Sequence, residues 1–151
     1  MGTVCNLEQH TFPKMIEAPG QELAQILGEP LPESAQLTQT YKGRPRLVMP
    51  TARTSLSANE PLNVTVAVLA GTEPKRGFLY WRRMGPGTFA NVPLGRVSRA
   101  TYSAQIPASD LEPVAEVGIE YYLEMELADG ARLHWPATAP DLNQTVTFFD
   151  R

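Results

Sequence analysis

Residues Gly118 to Trp135 read GIEYYLEMELADGARLHW, and their alternation decides the fold. Ile119, Tyr121, Leu123, Met125 and Leu127 fall on one side of an extended chain, and Glu120, Tyr122, Glu124 and Glu126 on the other. A period of two with one apolar side predicts a strand with a single buried face. The break at Asp129-Gly130 predicts a hairpin turn. A two-residue loop would set Glu126 opposite Leu133 and Glu124 opposite Trp135, mixing acidic and apolar residues on each face. A three-residue loop, Ala128-Asp129-Gly130 with Gly130 left-handed, shifts the pairing by one. Met125 then faces Leu133 and Leu123 faces Trp135 on the inside. Outside, Glu126 meets Arg132 and Glu124 meets His134, pairs of opposite or potentially opposite charge. The three-residue loop is therefore the expected one.

The rest of the chain agrees with an all-β reading. At 151 residues with 42% hydrophobic content, it is long enough for one domain with a real core and an appendage. Fourteen prolines against eleven glycines suit short strands and many turns. A net charge of −3 argues against nucleic acid and against an anionic membrane surface as partners. No apolar run approaches the roughly 20 residues of a membrane-crossing helix. The opening MGTVCNLEQH has no export signal, and its Met1-Gly2-Thr3 start suggests a piece cut from a longer protein. Cys5 is the single cysteine, so no internal disulfide is expected and the redox compartment stays open.

Residues 1–43 differ in character from residues 44–151. Pro19 to Leu27 predicts a short helix with Leu23, Ile26 and Leu27 on one side and Gly28 as its stop. The flanks Thr11-Phe12-Pro13 and Gln36-Leu37-Thr38 show no sustained period. This part reads as an extension or as the remnant of an upstream domain. From Arg44 onward strands recur at regular spacing. They are expected at Arg46–Thr51, Leu62–Val68, Gly77–Met84, Ala100–Ile106, the hairpin, and Gln144–Phe149, with a bent strand over Thr88–Val97. Pro93 and Gly95 interrupt the bent strand and predict an edge position for it. No internal repeat or low-complexity tract occurs.

The segments PRLVMPTARTSLSANEPLNVTVAVL, LYWRRMGPGTFANVPLGRVSRATYSAQIP, EYYLEMELADG and HWPATAPDLNQTVTF, in this order, carry a resemblance over Arg44 to Phe149. The chain resembles the fibronectin type III or immunoglobulin-like accessory modules of large bacterial polysaccharide-acting enzymes. That resemblance implies a two-sheet sandwich of about seven strands. It also implies an accessory role in sugar binding, spacing or docking, and an extracellular or periplasmic place within a larger protein. It further places Trp81 inward on the third strand and Tyr121 near a tyrosine corner. Leu79 then joins Trp81, while Phe78, Tyr80 and Arg82 turn outward.

Several chemistries are excluded or weakly carried. No Gly-x-Ser-x-Gly elbow, phosphate loop, dinucleotide fingerprint or His-containing zinc motif occurs, and no metal or other cofactor is expected. A Cys-His nucleophile pair would need Cys5 and His10, with no supporting motif around them, so Cys5 reads as a bystander thiol. Glu124 and Glu126 lie on one face about 7 Å apart, within the spacing range of glycosidase carboxyls. Both rise from one flat surface without a cleft to separate their pKa values, so they read as a solvated acidic face. Asn63-Val64-Thr65 and Asn143-Gln144-Thr145 match the glycosylation triplet, which arises often by chance and carries no weight. Trp135, held extended before Pro136, is expected inside.

The outer sheet face is the better candidate. With the third strand beside the hairpin, Tyr80 and Arg82 neighbour Tyr122, Glu124 and His134. Aromatic rings can cover the C–H face of a sugar while Arg and Glu bond its hydroxyls. An ordinary cross-strand aromatic pair with charged neighbours is the competing reading. The expectation is a non-catalytic module with a polysaccharide or oligosaccharide and a linked catalytic domain as partners. A spacer or protein-docking domain is the alternative.

Overall fold

The computed structural model describes residues 12–36, 41–114 and 116–149. The chain divides into two units, residues 1–40 and 41–151. Cys5, His10, Thr11, Leu37 and Thr38, named above, lie outside the described residues.

In the first unit, α1 spans Phe12–Leu27, with Pro19 inside it, and ends at Gly28, whose φ is 72°. The helix was expected to begin at Pro19, because a proline costs least in the first turn. Instead it starts upstream, where Met15, Glu17 and Ala18 are good helix formers. Leu23, Ile26 and Leu27 share one side as expected, and together with Met15 they are exposed. An open apolar groove of about 510 Å³ runs between α1 and the segment after it, lined by Pro19, Leu23, Ala24, Pro30 and Leu31.

The second unit is mostly β, in two sheets. Its strands are β1 (Arg46–Val48), β2 (Ser55–Ser57), β3 (Leu62–Leu69), β4 (Pro74–Arg83), β5 (Ala90–Pro93), β6 (Gly95–Ser98), β7 (Thr101–Ile106), β8 (Ile119–Leu127), β9 (Arg132–Trp135) and β10 (Gln144–Phe149). A one-turn helix, α2 (Ala108–Leu111), buries Leu111 beside the core. One sheet runs β1-β3-β7-β6, and the other runs β2-β10-β8-β4-β5 with β9 also on β8. The ten described strands exceed the expected seven, partly because the Thr88–Val97 segment is two strands. Pro93 is the last residue paired with β4; Leu94 N–H still donates to Gly77 O at 2.9 Å, its side chain is buried, and the chain enters the other sheet at Gly95. Both pieces are edge strands, as the proline and glycine predicted. The two strands after the turn, both expected, share one edge of β8: β9 pairs with Leu123–Glu126 and β10 with Ile119–Tyr121. The short strand β2 carries no readable alternation, although Leu56 is fully buried.

The core is the sum of the alternating inward residues. Leu62, Val64, Val66 and Val68 of β3 meet Leu79 of β4, the five inward residues of β8 and Val146 of β10. Trp81 and Trp135 pack against this core while remaining partly exposed. Tyr121 is fully buried, its ring centroid 6.0 Å from that of Trp135 and its hydroxyl 3.7 Å from Met49 Sδ. Burial pushes its phenol pKa up to about 12, so the group stays neutral.

The hairpin has the predicted three-residue loop. Leu127 N–H donates to Ala131 O at 2.8 Å, Gly130 N–H donates to Leu127 O at 3.0 Å, and Gly130 has φ 86°. Asp129 Oδ1 accepts from Ala131 N–H at 3.0 Å, stiffening the turn. The register follows, with Leu123 opposite Trp135, Glu124 opposite His134, Met125 opposite Leu133 and Glu126 opposite Arg132.

Gly118, at φ 92°, opens β8, and a Cβ there would lie 2.6 Å from the carbonyl oxygen of Val146. Gly130 has open space around it. Gly130→Ala should therefore cost only left-handed strain, about 1–2 kcal/mol. Gly118→Ala should cost that plus about 1–3 kcal/mol of crowding. Urea denaturation of the two variants checks the order, and an equal or smaller loss for Gly118→Ala contradicts the register.

Candidate functional site

The outward residues of β4 and β8 form one surface, because nine residue pairs hold these strands in antiparallel register. Tyr80 stands opposite Tyr122, Phe78 opposite Glu124 and Arg82 opposite Glu120. The Tyr80 and Tyr122 rings stack with centroids 4.9 Å apart and planes 11° from parallel. That offset-parallel geometry satisfies the ring quadrupoles. Phe78 lies 6.0 Å from Tyr80 on one side, and Phe89 meets Tyr122 edge-on at 5.2 Å. The His134 ring lies 6.3 Å from Tyr122. A continuous row of aromatic rings thus crosses the sheet, each partly exposed. No hydrogen bond within the described residues engages the Tyr80 or Tyr122 hydroxyl. Burial, with the nearby Tyr80 and Glu124, raises the Tyr122 pKa, so its hydroxyl remains a neutral donor.

Three carboxylates border this row, and each has a cation. Glu120 Oε1 accepts from Arg82 Nε at 2.9 Å, and its Oε2 accepts from Asn143 Nδ2 at 2.9 Å. Arg82 also donates to Gly87 O at 2.8 Å and lies 4.3 Å over the Phe89 ring. Glu124 Oε2 is 3.0 Å from His134 Nε2, and its Oε1 is 3.9 Å from Arg132. Glu126 takes Arg76 at 2.7 Å and Lys75 at 3.1 Å. Arg132 was expected to serve Glu126, the residue opposite it. It reaches Glu124 instead, while two cations from β4 occupy Glu126, where the register shifts between Pro74 and Arg76.

Four of the five residues expected to act together gather at the centre: Tyr80, Tyr122, Glu124 and His134. Arg82 sits on the same face but turns towards Glu120 and Phe89, away from the His134 end. Phe89, Glu120 and Asn143 were not foreseen as site residues. Glu120 was legible, since it shares a face with Tyr122 by alternation. Phe89 falls within the expected bent strand Thr88–Val97, just before β5, and that strand's two sides were not assigned. Asn143 comes from the loop between β9 and β10, and nothing local in the sequence announces its reach.

The electrostatics of Glu126 do not suit a general acid. Hydrogen bonds from Arg76 and Lys75 hold the Glu126 carboxyl below its usual range, which leaves a poor proton donor. Among the described residues no three His, Cys, Asp or Glu side chains gather as metal ligands. No described helix is long and apolar enough to cross a membrane.

For Glu120, burial raises the pKa, but hydrogen bonds from Asn143 and Arg82 and the Arg82 charge outweigh it and the net shift is downward. A depressed folded pKa contributes stability that is complete above the ordinary value of 4.5 and is lost as pH falls through the folded value. Glu120→Gln should therefore lower the melting temperature at neutral pH and flatten its acid dependence below that value. An acid limb identical to that of the unchanged protein contradicts the pairing. No protein-family model matches the chain and no curated protein matches it, so the functional reading rests on the residues of this face.

Proposed function

We propose that this chain is a non-catalytic β-sandwich module that holds carbohydrate on the outer face of β4 and β8. The observation that carries this reading is the Tyr80–Tyr122 stack, extended by Phe78 and Phe89 into one solvent-facing aromatic row. Such rings cover the C–H face of a pyranose, releasing water from apolar surface on both partners. The two phenol hydroxyls, Glu124 and His134 supply donors and acceptors for sugar hydroxyls, which would otherwise be desolvated without compensation. Arg82 contributes by fixing Phe89 and Glu120 rather than by reaching the ligand.

The module is of the fibronectin III or immunoglobulin-like kind on this reading. The orders β1-β3-β7-β6 and β5-β4-β8-β10 support it, because they follow the strand order of that class. Attached to a polysaccharide-acting enzyme outside the cytoplasm, it would raise the local concentration of substrate at the linked catalytic domain. The exposed Met15, Leu23, Ile26 and Leu27 of α1 favour a second reading, in which the chain docks on a protein neighbour.

Affinity electrophoresis in gels carrying plant and microbial glycans tests the choice. At least one glycan should retard the chain, and Tyr122→Ala should weaken retention about tenfold, the equivalent of about 1.4 kcal/mol. Lack of retardation by every glycan, with an intact melting transition, contradicts the carbohydrate reading and leaves the docking one.

A further inference from the structure

We infer that this face selects uncharged glycans and rejects uronate or sulfated ones, an inference that rests on the carbohydrate reading above. The reason lies in how the charges are arranged around the aromatic row. Tyr122 sits between Glu120 and Glu124 on the same side of β8, so a ligand covering its ring approaches two carboxylates. Arg82, which lies over the Phe89 ring beside Tyr122, is tied three ways, to Glu120, to the Gly87 carbonyl and to that ring. It is also largely shielded, its side chain 26% exposed against 17% for Glu120. Recognition of a carboxylate or sulfate calls for a guanidinium fork free to bond it in pairs. Withdrawing Arg82 for that purpose would leave Glu120 with uncharged partners only, Asn143 and the Gly85 backbone.

At the other end, Arg132 and His134 already face Glu124, and Lys75 and Arg76 already face Glu126. An anionic sugar would have to compete with a carboxylate for each of these cations. A neutral sugar meets no such competition, because the groups it needs are the phenol hydroxyls and the remaining lone pairs of Glu124. A carboxylate already holding one cation still accepts a hydroxyl hydrogen bond. Each of these cations is thus engaged by a carboxylate, so an anion that approaches the stack meets Glu120 and Glu124 and must break into an existing pair to be held.

Affinity electrophoresis of the full chain against a neutral β-glucan or xylan and against polygalacturonate separates the outcomes. The neutral polymers should retain it at least about tenfold more strongly, and their retention should change little when salt rises, because an uncharged ligand gains nothing from the exposed Arg132, Lys75 and Arg76. Glu124→Gln frees Arg132 and His134 from their carboxylate, and that variant should gain retention by polygalacturonate over the unchanged protein. Stronger retention of the unchanged protein by polygalacturonate, or no gain in Glu124→Gln, overturns the selectivity while leaving carbohydrate binding intact. No retention by either class overturns both.

Discussion

The register of one hairpin governs nearly everything else in this structure. Because side chains alternate, a slip of a single residue in the β8–β9 pairing would exchange the two faces. The turn prevents the slip: Gly130 takes the left-handed conformation, Asp129 clamps Ala131, and Leu127 closes the ladder across the loop. With that register, five apolar side chains of β8 are sealed at 0% exposure. At roughly 1.5–3 kcal/mol for each large side chain withdrawn from water, no local preference of the outer residues competes with this burial. The outer residues are placed by what their neighbours do.

That placement explains how acidic and aromatic residues coexist on one sheet. Glu120, Glu124 and Glu126 follow one another on β8 and would repel if unpaired. Each is met by cations from a neighbouring strand, with β4 serving Glu120 and Glu126, and β9 serving Glu124. Exposed pairs of this kind are worth little singly, about 0–1 kcal/mol. Together they set at least one cation beside every carboxylate that borders the Tyr80–Tyr122 stack.

How much of this was legible in the sequence depended on the range of the interaction. The hairpin, its loop length and the inward sides of β3 and β8 could be read directly, because each rests on neighbours a few residues apart. Tyr80 beside Tyr122 needed the further assumption that the third strand lies next to the hairpin, which the β4–β8 pairing bears out. The partners of Arg82 and Glu126 were not legible. Arg82 finds Phe89 and Gly87 only because the Gly85–Gly87 turn folds back, and Glu126 finds Lys75 through an irregular step in β4. The division of Thr88–Val97 between two sheets was half visible: Pro93 and Gly95 marked an interruption, but only the tertiary fold decides that the chain changes sheets there. In α1, the preference of proline for a first turn misplaced the start of a helix that continues through Pro19.

Solvent access to adjacent positions of β8 tests the central claim most directly. Tyr122→Cys and Leu123→Cys, each made with Cys5→Ser, can be compared by their thiol-labelling rates in native buffer. A thiol at 122 should react promptly, whereas one at 123 should wait for the sheet to open. Equal rates, or faster labelling at 123, would mean that the two sides of the strand are not as described.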